Sequence, residues 1–240
     1  MKNTQQIMMY IRSVFILVLV ILISACGDDP VSVSAKKYSE LIESSFKVNE
    51  QSTLTIENFV GGIIIRSGDP DTIQVSATKW APRQQDLGFI EIEMTAQQNG
   101  VRIVTRKPSS LQNASVDFEI FAPPDARMDL YSGVGSFDYL GRPGGNNFFQ
   151  LGVGSIMFQL PAGVNIQVEL ETGVGSIAVE FPVDGLVSDQ MVSGTIGSGD
   201  EGEVHVSTGV GSIYLARLQY SNPFLQSSFK NILAADRCVI

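Results

Sequence analysis

Four serines stand at matching positions behind a glycine pair. Ser136, Ser155, Ser176 and Ser212 each close a Gly-Val-Gly-Ser phrase. A serine nucleophile needs a base within hydrogen-bond reach, and the chain has a single histidine, His205. No base recurs beside the four serines, so a corner hydrogen bond or a hydroxyl ladder is the expected role. A glycine-rich phrase can also cradle phosphate, but that loop carries a Lys and opens a helix. No Lys follows any copy. The aspartates of a calcium-binding nonapeptide repeat are missing as well. Two cysteines, Cys26 and Cys238, and one histidine cannot build a zinc-type site within one chain. Glycoside hydrolysis needs two carboxylates at a fixed separation; the outward column that holds Asp138 continues with Met157, Ala178 and Tyr214. The sequence therefore assigns no catalytic residue, no metal ligand and no cofactor.

What positions these serines is a repeat. The phrases begin at Gly133, Gly152, Gly173 and Gly209, and their second glycines are Gly135, Gly154, Gly175 and Gly211. The first three begin 19 and 21 residues apart, and the last begins 36 after the third. That gap leaves room for a degenerate copy, read at 193–199, whose Gly and Ser density suggests a protruding hairpin or corner. Three residues before each first glycine stand Leu130, Phe149, Leu170 and Val206. Four after it stand Phe137, Ile156, Ile177 and Ile213, and six after it Tyr139, Phe158, Val179 and Leu215. Apolar columns separated by mixed ones give the period-2 pattern of strands with one buried face.

Each phrase thus predicts strand, glycine corner, strand, with the eight glycines as structural corners and the intervening Val plugging each corner. A period of this length marks units that bury their apolar faces only against their neighbours. If the copies stack, Ile156 and Ile177 become rungs of one ladder, each worth about 1.5–3 kcal/mol. Along the strands, Ile166, Val168 and Leu170 point inward and Gln167, Glu169 and Glu171 outward. Val204 and Val206 point inward around His205, which falls on the outward face with no partner fixed by spacing.

The 240-residue chain carries a formal charge of −9 and is 44% hydrophobic with 23 glycines. That composition suits a turn-rich β domain and argues against disorder. The negative charge and the lack of a basic patch disfavour nucleic acid. At the N-terminus, Lys2 and Arg12 precede an apolar run over 13–23. This is the layout of a secretory signal. Its ending, Ile23-Ser24-Ala25-Cys26, resembles the lipobox of bacterial lipoproteins. By that resemblance Cys26 is the lipidated first residue of the mature chain, anchored to a membrane of the bacterial cell envelope. Asp28-Asp29 resembles an outer-surface export signal, which makes the outer membrane the expected address, periplasmic or surface-exposed. Cys238 then has no intramolecular disulfide partner, which leaves a free or intermolecularly paired thiol; a buried, inert thiol is the expectation.

The expected organisation is a signal peptide over 1–25, a tether over 26–45 with a helical turn or two at 38–42, and an N-terminal β region over 46–125. The repeats follow over 126–218 and a C-terminal cap over 219–240. Within the β region, 57–63 aligns with 171–177 and starts the repeat in degenerate form. Strands are expected around 73–80, 90–94, 101–104 and 116–121, with exposed polar linkers at 84–88 and 107–114. Pro123-Pro124 ends the last of these strands, since Pro cannot donate to a ladder. This region forms either the first coils of the repeat stack or a separate sheet. Ser221-Asn222-Pro223 reads as a helix start, giving a short capping helix.

The order of these phrases resembles the bacterial adhesin-type family DUF4097, close to the DUF2807 head domains. The resemblance is carried by Leu54-Thr55-Ile56 leading to Gly62-Ile63, Asp71-Thr72-Ile73-Gln74-Val75, and Phe118-Glu119-Ile120 with Pro123. It continues through the Gly-Val-Gly-Ser units and Val204-His205-Val206-Ser207-Thr208-Gly209. It spans about residues 46–218; the 224–240 tail departs from it. The resemblance implies a right-handed, β-helix-like solenoid of stacked coils of about 18–21 residues, located in the cell envelope. It transfers no catalytic motif. The expected function is a lipid-anchored, non-enzymatic surface for adhesion or for contact with envelope proteins or glycans. The alternatives are a polysaccharide-active β-helix enzyme and an envelope-stress regulatory scaffold.

Overall fold

The computed structural model describes residues 38–49 and 51–218. The expected signal segment with Cys26, the tether before residue 38, and the capping helix with Cys238 lie outside the described residues. The fold is all-β, a 14-stranded mixed sheet. Its strands are β1 (Tyr38–Lys47), β2 (Thr53–Ser67), β3 (Thr72–Ala81), β4 (Glu91–Gln97), β5 (Gly100–Arg106), β6 (Ser115–Ala122) and β7 (Arg127–Leu140). They continue with β8 (Gly145–Leu160), β9 (Ile166–Val174), β10 (Ile177–Val179), β11 (Asp184–Val187), β12 (Met191–Ile196), β13 (Gly202–Val210) and β14 (Ile213–Arg217).

Three long strands, β2, β7 and β8, run through a glycine corner and carry the architecture. They lie parallel and in register, with Val60 beside Val134 and Val134 beside Val153. The alignment of 57–63 with the repeat is therefore a real rung, and the N-terminal β region is continuous with the repeats. The neighbours change at the corner. Before it, β2 pairs with β5; after it, β2 pairs with β6. Likewise β8 pairs with β13 before the corner and with β14 after it. The sheet is thereby folded into two wings that share the three long strands.

The core fills the angle between the wings. Leu54, Ile56, Leu130 and Phe149 come from one wing, Ile63, Ile65, Phe137 and Phe158 from the other, and all are buried. Phe137, Phe149, Tyr139 and Phe158 form a chain of ring contacts with centroids 4.8–6.1 Å apart. Tyr139 donates its hydroxyl to the Arg142 carbonyl at 3.0 Å, and burial pushes its phenol well above the ordinary range. A buried phenol needs such an acceptor.

Several expectations need correction. The phrases do not stack in chain order. β13, from the fourth copy, inserts between β8 and β9, so the third copy lies outermost. Its second half, β10, is a three-residue strand paired with β14 and followed three residues later by Pro182. A short strand stopped by Pro suits an edge. The degenerate copy at 193–199 belongs to a hairpin, as its Gly and Ser density suggests: β11 and β12 pair antiparallel, and β12 covers the free side of β9. Residues 38–47 are neither tether nor helical turn. Ile42, Ser44 and Phe46 alternate inward on a strand paired antiparallel with β3, and Ser44 dilutes that signal. Finally, 84–88 is not a plain exposed linker. It lies in a 3-10 turn, Gln84–Phe89, with Asp86 and Leu87 buried. Arg83 holds the Asp86 carboxylate with two bonds of 2.8 and 2.9 Å, which makes that burial affordable.

Candidate functional surface

The corner glycines are explained by their neighbours. Gly154 has φ +138°, and a Cβ on it would overlap the Gly135 carbonyl oxygen of the adjacent rung. Gly135 stands so against Gly61, Gly211 against Gly154 and Gly175 against Gly211. The first glycines, Gly133, Gly152, Gly209 and Gly173, likewise face carbonyl oxygens of the rung beside them. Only a residue without a Cβ lets successive bends nest so closely. At each of these eight positions an added Cβ would meet backbone of the neighbouring rung.

The valines between them do not plug the corner. Val134, Val153, Val210 and Val174 are 45–64% exposed. Ser132 and Phe137 are both buried although an odd number of positions separates them. The alternation must slip once at the bend, and the slip turns the Val outward. The inside of the corner holds the preceding residue instead. Thr172 donates to the Gly211 carbonyl at 2.9 Å, and Asn58 donates to the Val116 carbonyl at 2.9 Å. Ser132, Thr172 and Thr208 occupy this offset in three of the four phrases, a recurrence that could have revealed the role. Of the closing serines, Ser176 and Ser212 approach to 3.4 Å between hydroxyls.

Two outward rows cross the wing before the corner. One runs Asp129, Phe148, His205, Glu169; the other runs Tyr131, Gln150, Ser207, Glu171. His205 stands on the outward face as expected, but it is not without a carboxylate. Its Nδ1 is 2.9 Å from Glu169 on the next strand and its Nε2 is 3.5 Å from Glu203. Its ring stacks on Phe148 with centroids 4.8 Å apart, 6° from parallel. On Phe148 the Arg127 guanidinium also rests, 5.3 Å from the ring centre, and Arg127 bonds Asp129 at 3.1 Å. Strand order placed these partners side by side, and that order could not be read while the third and fourth copies were stacked in sequence.

The arrangement has a chemical consequence. Both imidazole nitrogens point at carboxylates, of Glu169 and Glu203, rather than at the Ser207 hydroxyl two residues on. Between the rows lies a shallow groove of about 160 Å³ lined by Tyr131, Phe148, Gln150, Glu169, Glu171 and His205 among others. Among the described residues no three His, Cys, Asp or Glu side chains are placed to hold a metal ion.

No family model matches the chain, and no curated protein matches it. Solved structures do. One, from Clostridium sporogenes and described as a candidate cell adhesion protein, aligns over 74% of this chain and 100% of its own, at 17% identity and a TM-score of 0.47. A candidate adhesin from Bacteroides fragilis aligns over 73% of this chain and 97% of its own, at 12% identity and a TM-score of 0.26. A candidate adhesin from Parabacteroides merdae covers 59% of this chain and 65% of its own, at 7% identity and a TM-score of 0.31.

Proposed function

We propose that the chain is a lipid-anchored protein of the bacterial cell envelope, held through Cys26, that works as a non-enzymatic surface for adhesion or interaction. The parallel stack of bent strands forms a short β-helix-like solenoid in this proposal. One observation carries the reading of the surface. Tyr131, Gln150, Ser207 and Glu171 lie in register across four parallel strands, so backbone hydrogen bonds fix their spacing. A face held this way presents side chains at strand spacing, about 4.8 Å, and loses little freedom when a partner lands on it. The site is an open groove rather than an enclosed pocket, and enclosure is what reactions gain from. The envelope address rests on Ile23-Ser24-Ala25-Cys26 and on the apolar run before it.

The test uses cells producing the full chain. Attachment to surfaces coated with envelope extracts is measured for wild type, for Cys26→Ser and after protease shaving. The Cys26→Ser cells are expected to attach at the level of cells lacking the protein. Equal attachment by all of them overturns the anchored-adhesion reading. A reproducible soluble product released from polysaccharide by the purified chain overturns the non-enzymatic part.

A further inference from the structure

The groove between the two outward rows has its own chemistry, which narrows what can bind there. Tyr131 forms one end and is 43% exposed. Gln150 and Ser207 follow across the strands, and Glu171 closes the row. The stacked Phe148 and His205 rings form the side. Among the described residues, the Tyr131 hydroxyl, the Gln150 amide and the Glu171 carboxylate have no partner within the chain.

We infer that this groove binds a neutral, hydroxyl-rich glycan, one sugar ring of which stacks on Tyr131 while neighbouring hydroxyls bond Gln150 and Glu171. The inference rests on the adhesion reading and gives it a ligand class. Anionic ligands are disfavoured because Glu169 and Glu171 line the groove. The nearby cation, Arg127, is already engaged by Asp129 and the Phe148 ring. A lipid chain or apolar small molecule needs a deep apolar cavity, and this groove is shallow with polar groups on both rows. An added peptide strand needs a free sheet edge, but β7, β8, β13 and β9 are paired on both sides. A ligand with a flat C–H face and a rim of hydroxyl donors meets these limits. An exposed phenol ring beside unpartnered carboxylate and amide groups complements both parts. A second shallow depression beside Glu57, Asn58 and Ser132 shares Tyr131 and Gln150 with the groove, which continues the surface for a linear chain.

The full chain is titrated with cellohexaose, chitohexaose and mannohexaose, and with hexagalacturonic acid as the anionic counterpart. Saturation-transfer NMR reads contact and affinity. At least one neutral hexasaccharide is expected to bind at millimolar concentration or below, and hexagalacturonic acid to bind at least tenfold more weakly. Tyr131→Ala and Gln150→Ala should each weaken binding, Tyr131→Ala about tenfold or more, while Tyr131→Phe keeps most of it. Both positions are exposed, and unchanged melting temperatures would confirm that the variants fold. Absence of binding by every neutral hexasaccharide overturns the proposal, as does binding that Tyr131→Ala and Gln150→Ala leave intact. Saturable binding of a lysine-rich peptide in their place overturns it in favour of a basic protein partner. If the glycans fail while cells still attach through the anchored chain, the groove assignment falls and the adhesion reading stands. If the glycans bind but Cys26→Ser cells attach as wild type, the reverse holds.

Discussion

The rings of Phe149 and Phe158 meet edge to face with centroids 4.8 Å apart, although both belong to β8 on opposite sides of one glycine corner. A straight strand cannot bring them together. The bend folds the strand so that its two halves face a common core, and the aromatic contact closes the angle between the wings. Phe158→Ala should destabilise the chain by about 3–5 kcal/mol, the usual cost of emptying a buried aromatic site. A double-mutant cycle with Phe149→Leu and Phe158→Leu should give about 0.5–1.5 kcal/mol of coupling, read by denaturant titration. Additive effects would mean that the edge-to-face contact contributes nothing beyond the separate burial of each ring.

The nesting of corners predicts a sharp contrast between glycines. Gly154→Ala must place a Cβ on the Gly135 carbonyl at φ +138°. The strand must move or unpair, with a loss of at least about 2 kcal/mol. Gly88 has no atom within 4 Å of an added Cβ, so Gly88→Ala should change stability by less than ~0.5 kcal/mol. Thermal melts of the two variants check this; equal melting temperatures would contradict the close approach of successive bends.

Much of this was legible in the sequence because period-2 columns report burial directly. The columns at Leu130, Phe137 and Tyr139 are inside in the copies that have strands on both sides. The Val orientation was not legible, because alternation predicts a face only while it continues and the glycine corner interrupts it. The stacking order was not legible for another reason: identical phrases carry no label for their place in a stack. The remaining clue was local, the three-residue β10 stopped at Pro182. The partners of His205 were hidden by the same ambiguity, since Glu169 and Phe148 become neighbours only once β13 lies between β9 and β8.

That stacking order makes equivalent isoleucines unequal. Ile156 is fully buried on β8, whereas Ile177 on edge strand β10 is half-buried. Ile156→Asp should leave no stable fold, because an unpaired carboxylate would sit in the core. Ile177→Asp can turn its charge toward water and should cost markedly less. Soluble yield and melting temperature distinguish them. Val153→Thr, on the outward side of the same corner, should shift stability by less than ~0.5 kcal/mol.

Asp138 gives the stack a pH dependence with a definite sign. It lies on an outward column of β7, half-buried between Ile64 and Met157 of adjacent strands. Burial raises its carboxyl above the ordinary value, and the Arg66 charge only partly opposes this. A carboxyl harder to ionise when folded than when unfolded stabilises the native state while protonated. That advantage is full below the unfolded pKa of about 3.9 and is lost as pH rises through the folded value. Asp138→Asn removes the ionisation. The variant should therefore gain stability relative to wild type at pH 7 and show a smaller gain at pH 3. Denaturant midpoints at the two pH values measure the difference. A gain of equal size at both would locate the effect in packing rather than in charge, and a loss confined to pH 7 would mean that Arg66 outweighs the burial.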